Sequence, residues 1–183
     1  LVAIDNVAAP LPALLHEAGV GDRVHLTRLC SSESYGGVDP RLAGRLTPMD
    51  NSADERRALL ERRLRDTDGV TIVASTVDQL FKLGEPTRCA PLFDVMLIDE
   101  ASQLDVAHAL VGLSKLAFDG RVVVVGDDKQ MAPIHPVEAP DGLEHLLGSV
   151  YDFFRHYRRH EGDAFAISPV MLNRSFRSNR EIV

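Results

Sequence analysis

The sequence predicts an α/β fold in which helices cover a parallel β-sheet. Three short apolar runs, at residues 70–74, 94–98 and 121–125, are rich in β-branched residues and too short to be helices. Such runs are typical of strands buried on both faces of a parallel sheet. Segments with the helical spacing of apolar residues alternate with them, and this alternation indicates parallel rather than antiparallel pairing.

The other predicted elements extend this pattern toward the N-terminus and interrupt it once. Residues 1–4 and 24–29 are expected to be two further strands, and residues 10–18 and 102–116 two helices. Residues 31–68 differ, because several glycines and prolines precede a charged helix that starts with a capping-box sequence. They predict a small helical insertion outside the core sheet.

Composition excludes several classes of protein. With 183 residues, of which 45% are hydrophobic, the chain suits one domain with a substantial core. No run of about 18 apolar residues occurs, so no membrane-spanning segment is expected. The net charge of −7 argues against a protein that coats nucleic acid by bulk attraction, but not against a local basic track. The two cysteines have no metal-ligand spacing and predict a reduced, cytoplasmic protein.

Two adjacent carboxylates end the strand predicted at residues 94–98. Asp99 and Glu100 follow its last apolar residue, and ligands of open α/β sheets bind beyond the carboxyl ends of the strands. One carboxylate there is suited to hold Mg²⁺, and its neighbour to activate a water molecule for attack. The alternative is a charge pair that stabilises the N-terminus of the following helix.

A second polar loop follows the strand predicted at residues 121–125. Gly126 permits a tight turn, and Gln130 carries a hydrogen-bond donor and an acceptor in one side chain. Such a group is able to sense whether a terminal phosphate is present. The alternative is an ordinary polar loop between a strand and a helix.

Together, the two loops resemble motifs of the superfamily 1 helicases. Residues 99–103 resemble motif II, the Walker B motif, and residues 126–133 resemble motif III, with the pattern Gly-Asp-x-x-Gln-x-x-Pro. The resemblance implies a RecA-like P-loop NTPase core that uses ATP and Mg²⁺. It assigns the metal to Asp99, the activation of the attacking water to Glu100 and the sensing of the γ-phosphate to Gln130.

Two further matches and one single residue concern phosphate and nucleic-acid contacts. Residues 172–179 resemble motif IV, in which Arg177 reaches the γ-phosphate from the second motor domain. Ser75 and Thr76 match a segment that touches a nucleic-acid phosphate, and His135 stands where relatives stack on bases. Considered alone, Arg177 is a surface arginine, the Ser-Thr pair a helix cap and His135 part of a turn.

The spacing of the motifs suggests how the domains are arranged. A third match is at residues 5–9, which resemble the end of motif Ia, and the resemblance implies a nucleic-acid contact by Asn6. The insertion at residues 31–68 then precedes the Ser-Thr segment, and this spacing resembles the Upf-like and helicase–nuclease branch more than the UvrD-like one. We expect a first motor domain over residues 1–171 and the start of a second over residues 172–183. The pattern Gly-x-x-x-x-Gly-Lys-Ser/Thr does not occur, and the resemblance places this phosphate-binding loop upstream of Leu1.

The expected function is ATP-driven movement along single-stranded nucleic acid, with DNA favoured over RNA. The remainder of the helicase chain is an expected partner, so the 183 residues alone are expected to be inactive. Two other classes remain open: a degenerate scaffold that does not hydrolyse ATP, and a Mg²⁺-dependent hydrolase that uses the Asp-Glu pair without a nucleotide. The residues before Leu1 would discriminate among the three.

Overall fold

Parallel strands alternate with helices along the part of the chain that the structure describes. The structure is a computed structural model and describes residues 8–20, 23–30, 47–50, 58, 62, 69–83, 91–127, 129–131, 133–134, 138–160 and 170–172. The strands, numbered over these residues, are β1 (Val24–Cys30), β2 (Thr47–Asp50), β3 (Val70–Ala74), β4 (Phe93–Ile98) and β5 (Leu116–Val124). The helices are α1 (Leu11–Glu17), α2 (Val77–Phe81), α3 (Val106–Leu113), α4 (Glu144–Leu147) and α5 (Val150–His160).

All pairings between these strands are parallel, as the sequence predicts. One sheet has the order β2-β1-β3, and β4 pairs with β5 in a second. Parallel neighbours need crossover connections, and α3 supplies the one between β4 and β5. Ile98 is the register partner of Val124, so the two strands end at the same edge of their sheet. The predicted α/β class is confirmed.

Strand β5 begins five residues earlier than the sequence predicts, whereas β3 has its predicted bounds. The register of β5 on β4 shifts between the pairs Phe93–Leu116 and Val95–Arg121, which leaves an irregular stretch in β5. Gly120 lies within it, and a Cβ there would lie only 2.6 Å from Leu116 Cγ. The close contact favours glycine at this point, and the polar sequence Asp119-Gly120-Arg121 hid the longer strand because it interrupts the apolar pattern.

Helix α3 is shorter than the segment of residues 102–116 predicted for it. Asp105 is its N-cap, and the Asp105 carboxylate accepts the backbone N–H of His108 at 2.8 Å. The residues before Asp105 therefore belong to the turn that follows β4. At the other end, the backbone N–H of Ser114 donates to Leu110 O, and the chain then enters β5 at Leu116.

The insertion predicted at residues 31–68 contributes strand β2 to the sheet that also contains β1 and β3. Strand β2 pairs in parallel with β1 from Thr27–Thr47 to Cys30–Asp50. The expectation that the whole insertion lies outside the sheet is therefore wrong for β2. Ala58 and Arg62, within the predicted charged helix, are helical. The rest of the insertion and the strand predicted at residues 1–4 lie outside the described residues.

The apolar core nearest to the paired strand ends lies on one face of β4 and β5. It is formed by buried residues of β4, of the turn after it, of α3 and of α5: Ile98, Ala101, Ala109 and Val150. Met96, Val124 and Phe154 pack against them. Fully burying a side chain such as that of Ile98 or Val150 contributes about 1.5–3 kcal/mol, so the core holds the carboxyl ends of β4 and β5 against two helices. None of the helices described here is long and apolar enough to cross a membrane.

Candidate active site

The chain turns sharply where β4 ends, and the turn separates two exposed residues from two buried ones. Asp99 and Glu100 follow Ile98 and are exposed, whereas Ala101 is fully buried and Ser102 is 4% exposed. Ala101 packs into the core under the strands. The core thus anchors the turn, and the two carboxylate residues remain exposed to solvent at the carboxyl edge of the β4–β5 pair.

Glu100 has a backbone conformation that glycine adopts more readily than glutamate. Its φ angle is 52°, in the left-handed region, which costs a residue with a Cβ about 1–2 kcal/mol. Two hydrogen bonds within the turn hold it there. Its N–H donates to Asp99 Oδ1 at 3.0 Å, and its carbonyl accepts the N–H of Gln103 at 2.9 Å. Backbone strain that is retained in this way is concentrated at functional sites.

The loop after β5 lies beside this turn and is hydrogen-bonded to it. The N–H of Val125 donates to Ile98 O at 2.8 Å, and the N–H of Ala101 donates to Val125 O at 2.9 Å. Farther along, the N–H of Asp127 donates to the buried Ser102 Oγ at 2.6 Å, across 25 residues of sequence. These bonds fix the two predicted motif loops relative to each other.

Gly126 allows the two loops to approach this closely. A Cβ at this position would lie 2.7 Å from Ser102 Oγ and 2.8 Å from Tyr151 Cδ2, and both distances are shorter than those at which Cβ atoms contact other heavy atoms in proteins. The φ of Gly126 is not positive. The sequence pointed to glycine here for a tight turn, but the structure requires it for close packing between the loops and α5.

The side chains of Gln103 and Gln130 join the loops at the surface. Gln103 Nε2 donates to Gln130 Oε1 at 2.7 Å, across 27 residues of sequence, and both residues are exposed. The backbone N–H of Gln130 also donates to Asp127 O at 3.2 Å. Of the residues predicted to act on a nucleotide, Asp99, Glu100 and Gln130 therefore lie in two loops that are directly bonded to each other.

The start of α5 supports the turn after β4. The N–H of Val150 donates to Leu104 O at 2.8 Å. The buried Ser149 precedes the helix, accepts the N–H of Asp152 at 3.1 Å and donates to its carboxylate at 2.7 Å. This arrangement resembles a capping box and fixes the first turn of α5. The turn thus rests on a well-anchored helix.

Ser75 and Thr76 follow β3, which belongs to the other sheet. Thr76 is the N-cap residue of α2 and has an extended backbone, but its side chain makes no capping hydrogen bond. Ser75 Oγ donates to the neighbouring Thr76 O at 2.8 Å. The interpretation of this pair as a helix cap is therefore correct for the position of Thr76 but not for its hydroxyl group.

Three residues of the predicted site, Asn6, His135 and Arg177, lie outside the described residues. Within the described ranges, no group of three or more His, Cys, Asp or Glu side chains is suited to hold a metal ion. The pair Asp99 and Glu100 fits another mode of metal binding. Mg²⁺ commonly takes one or two carboxylates and completes its coordination with water and phosphate oxygens.

A comparison with protein families identifies the domain. Residues 55–159, more than half of the chain, match the family model described as the AAA domain. The chain belongs to the AAA domain family. AAA domains are P-loop NTPase-type domains that bind nucleotides and occur in superfamily 1 helicases, and the parallel α/β architecture agrees with a RecA-like core. No curated protein and no solved structure matches the chain significantly.

The matched part of the AAA domain includes β3, β4, β5 and both hydrogen-bonded loops. Within it, sequence reasoning gave no separate role to Ser102 and Gln103, although both belong to the segment that resembles motif II. Two consecutive polar residues, separated from the Asp-Glu pair only by Ala101, were the available signal. Their partners lie 25 and 27 residues away, so the fold was needed to identify them.

Proposed function

We propose that the chain forms the first motor domain of a superfamily 1 helicase and couples ATP hydrolysis to movement along single-stranded nucleic acid. The observation that carries the proposal is the bonded pair of loops at the ends of β4 and β5. These loops hold Asp99, Glu100 and Gln130 at one exposed edge of a parallel sheet. Ligands of open α/β sheets bind at this edge.

The hydrolytic roles divide between the two loops. Asp99 would hold Mg²⁺ through water, and the hydrogen bond that the Glu100 N–H donates to Asp99 Oδ1 orients the Asp99 carboxylate. When bound, Mg²⁺ neutralises charge on the phosphate oxygens. Glu100 would accept a proton from the attacking water. Gln130 would donate a hydrogen bond to the γ-phosphate, and Arg177 would stabilise the transferring charge from the second motor domain.

Contacts with nucleic acid are proposed for residues outside these two loops. Ser75 and Thr76 would bind a backbone phosphate through hydroxyl groups, which is a contact without sequence preference. The Thr76 side chain makes no capping bond within the chain, which supports this role. Asn6 and His135 are further candidates, and single-stranded DNA is the favoured substrate. With a net charge of −7, the chain needs such local contacts.

The proposed domain boundary lies close to Leu172. Val170, Met171 and Leu172 belong to no helix or strand and are all exposed, as expected of a connection between domains. Residues 1–171 would form the first motor domain, and residues 172–183 would begin the second. The function also requires a phosphate-binding loop, which the motif order places before Asn6. Its test therefore needs the full-length protein.

The decisive experiment measures ATP hydrolysis by the full-length protein with and without single-stranded DNA or RNA. The proposal predicts that a single strand stimulates hydrolysis and that DNA stimulates it more than RNA. It also predicts that ATP hydrolysis drives displacement of a protein block from one end of the strand. Hydrolysis that no nucleic acid stimulates would contradict the helicase proposal, although it would agree with the AAA domain family.

A further inference from the structure

Gln103 connects Glu100 and Gln130, two of the residues that are proposed to act in ATP hydrolysis. Its backbone N–H donates to Glu100 O at 2.9 Å, and its side-chain Nε2 donates to Gln130 Oε1 at 2.7 Å. The preceding residue, Ser102, is buried and accepts the N–H of Asp127, so the backbone at Gln103 is anchored to the core. The side chain of Gln103 thus contacts Gln130, the proposed sensor of the γ-phosphate. The backbone of Gln103 holds the turn that carries Glu100, the proposed general base.

The bond between the two glutamines decides which end of the Gln130 amide is left for a ligand. An amide side chain has one acceptor oxygen and two donor hydrogens on its nitrogen. Gln130 Oε1 is engaged by Gln103, so the NH₂ group of Gln130 is the end that is turned away from this bond. A terminal phosphate in its anionic form accepts hydrogen bonds, so it needs the donor end.

We propose that Gln103 is a positioning residue, which holds the Gln130 amide with its NH₂ group toward the terminal phosphate of a bound nucleotide. The inference rests on the proposed function and deepens it, because the resemblance to motif II gave Gln103 no role. Gln103 acts through Gln130 and not on the nucleotide.

Two substitutions of Gln103 separate positioning from structural support. In Gln103→Glu the side chain keeps its shape but only accepts hydrogen bonds, so Gln130 must turn its NH₂ group inward and its oxygen toward the phosphate. In Gln103→Ala the bond is lost and the Gln130 amide rotates freely. We expect kcat for ATP to fall roughly tenfold or more in Gln103→Glu and by less in Gln103→Ala, with unchanged thermal midpoints.

The order of the two effects is the diagnostic readout. A side chain that only supports the fold would give the opposite order, because the isosteric change disturbs packing less than truncation does. A larger loss in Gln103→Ala than in Gln103→Glu therefore overturns the proposal. The control is Asp119→Asn, an exposed change of charge near the start of β5, which should keep the turnover of the wild type.

A double-mutant cycle tests whether Gln103 acts through Gln130 rather than by charge repulsion. Gln103→Glu is combined with Gln130→Ala, and single-turnover rates are compared with those of the single variants. Positioning predicts that Gln103→Glu adds little once the Gln130 amide is absent. Losses that multiply would show that the added charge acts on the nucleotide directly, and they would overturn the proposal.

The failure of this inference is distinguishable from the failure of the proposed function. Turnover that is lost in Glu100→Gln and Gln130→Ala but retained in Gln103→Glu would remove Gln103 from the site and leave the hydrolytic role intact. If the full-length wild-type protein does not hydrolyse ATP with any single strand, the proposed function fails and this inference fails with it.

Discussion

Two groups of predicted site residues stand at strand ends, and the chain organises them differently. The loops after β4 and β5 are bonded to each other through side chains across 25 and 27 residues of sequence. The segment after β3 shows a local bond instead, from Ser75 Oγ to Thr76 O, and Thr76 does not cap its helix. We infer that the chain itself preorganises the proposed hydrolytic site, whereas the proposed nucleic-acid contact would be completed only by its ligand.

The largest expected effect concerns the carboxylate of Glu100. In the full-length protein, Glu100→Gln should retain ATP binding and lower turnover by about 10²–10⁴-fold, because a positioned general base is lost. Steady-state hydrolysis with single-stranded DNA measures it, and Glu138→Gln, at another exposed glutamate, is the matched control. Near-normal turnover in Glu100→Gln would remove the β4 turn from the hydrolytic site.

The contact between the loops should be sensitive to a single added carbon atom. Gly126→Ala places a Cβ 2.7 Å from Ser102 Oγ, and relieving such overpacking typically costs about 1–3 kcal/mol of unfolding free energy. At Gly148, the nearest atom to an added Cβ lies at 3.5 Å, so Gly148→Ala should be close to neutral. Urea unfolding compares the two variants. Equal stability would mean that the loops are not packed as described.

The two regions also differ in how far the sequence predicted them. Strand β3 was predicted with its bounds, and Asp99, Glu100 and Gln130 were correctly placed after the ends of strands, because apolar runs and the residues that end them are local patterns. The bond between Gln103 and Gln130 depends on which strands are neighbours, and no local pattern contains that information. The left-handed φ of Glu100 was missed for a related reason, since glutamate does not favour it.

Boundaries were missed where long-range pairing overrides local preference. Strand β5 starts earlier than predicted because Leu116 already pairs with β4. Residues Thr47–Asp50 form a strand because they pair with β1, although their surroundings are rich in glycine and proline. Helix α3 starts later than the predicted residue 102 because Asp105 is its N-cap. The spacing of the apolar residues gives no indication of where this cap lies. These differences arise from tertiary contacts rather than from composition.

A smaller effect, on the free energy of unfolding, is expected from the backbone strain at Glu100 in the turn after β4. Glu100→Gly and Glu100→Gln both lack the carboxylate, but only glycine adopts a φ of 52° without cost. Relief of about 1–2 kcal/mol of strain, offset in part by the greater freedom of glycine when unfolded, should make Glu100→Gly more stable by about 0.5–1 kcal/mol. Chemical denaturation measures the difference. A less stable Glu100→Gly would show that the turn is not strained.

The smallest effect on stability is expected at the end of β3. Thr76→Ala should change the unfolding free energy by less than about 0.5 kcal/mol, because the hydroxyl makes no capping bond. Asp105→Ala removes an N-cap that does accept a backbone N–H and should cost about 1 kcal/mol. The affinity for single-stranded DNA should nevertheless fall in Thr76→Ala and not in Asp105→Ala. The reverse order of stabilities would restore the helix-cap interpretation of Thr76.

The most direct test of the bonded loops as a coupled site is the response of Gln130→Ala to nucleic acid. Gln130 is exposed and does not belong to the core that packs against β5. The free energy of unfolding of Gln130→Ala should therefore differ from that of the wild type by no more than about 0.5 kcal/mol. ATP hydrolysis by the full-length variant is then measured with increasing single-stranded DNA. We expect the stimulation by DNA to drop sharply while the fold is retained. Stimulation equal to that of the wild type would contradict it and would leave Gln130 as a residue of an ordinary loop.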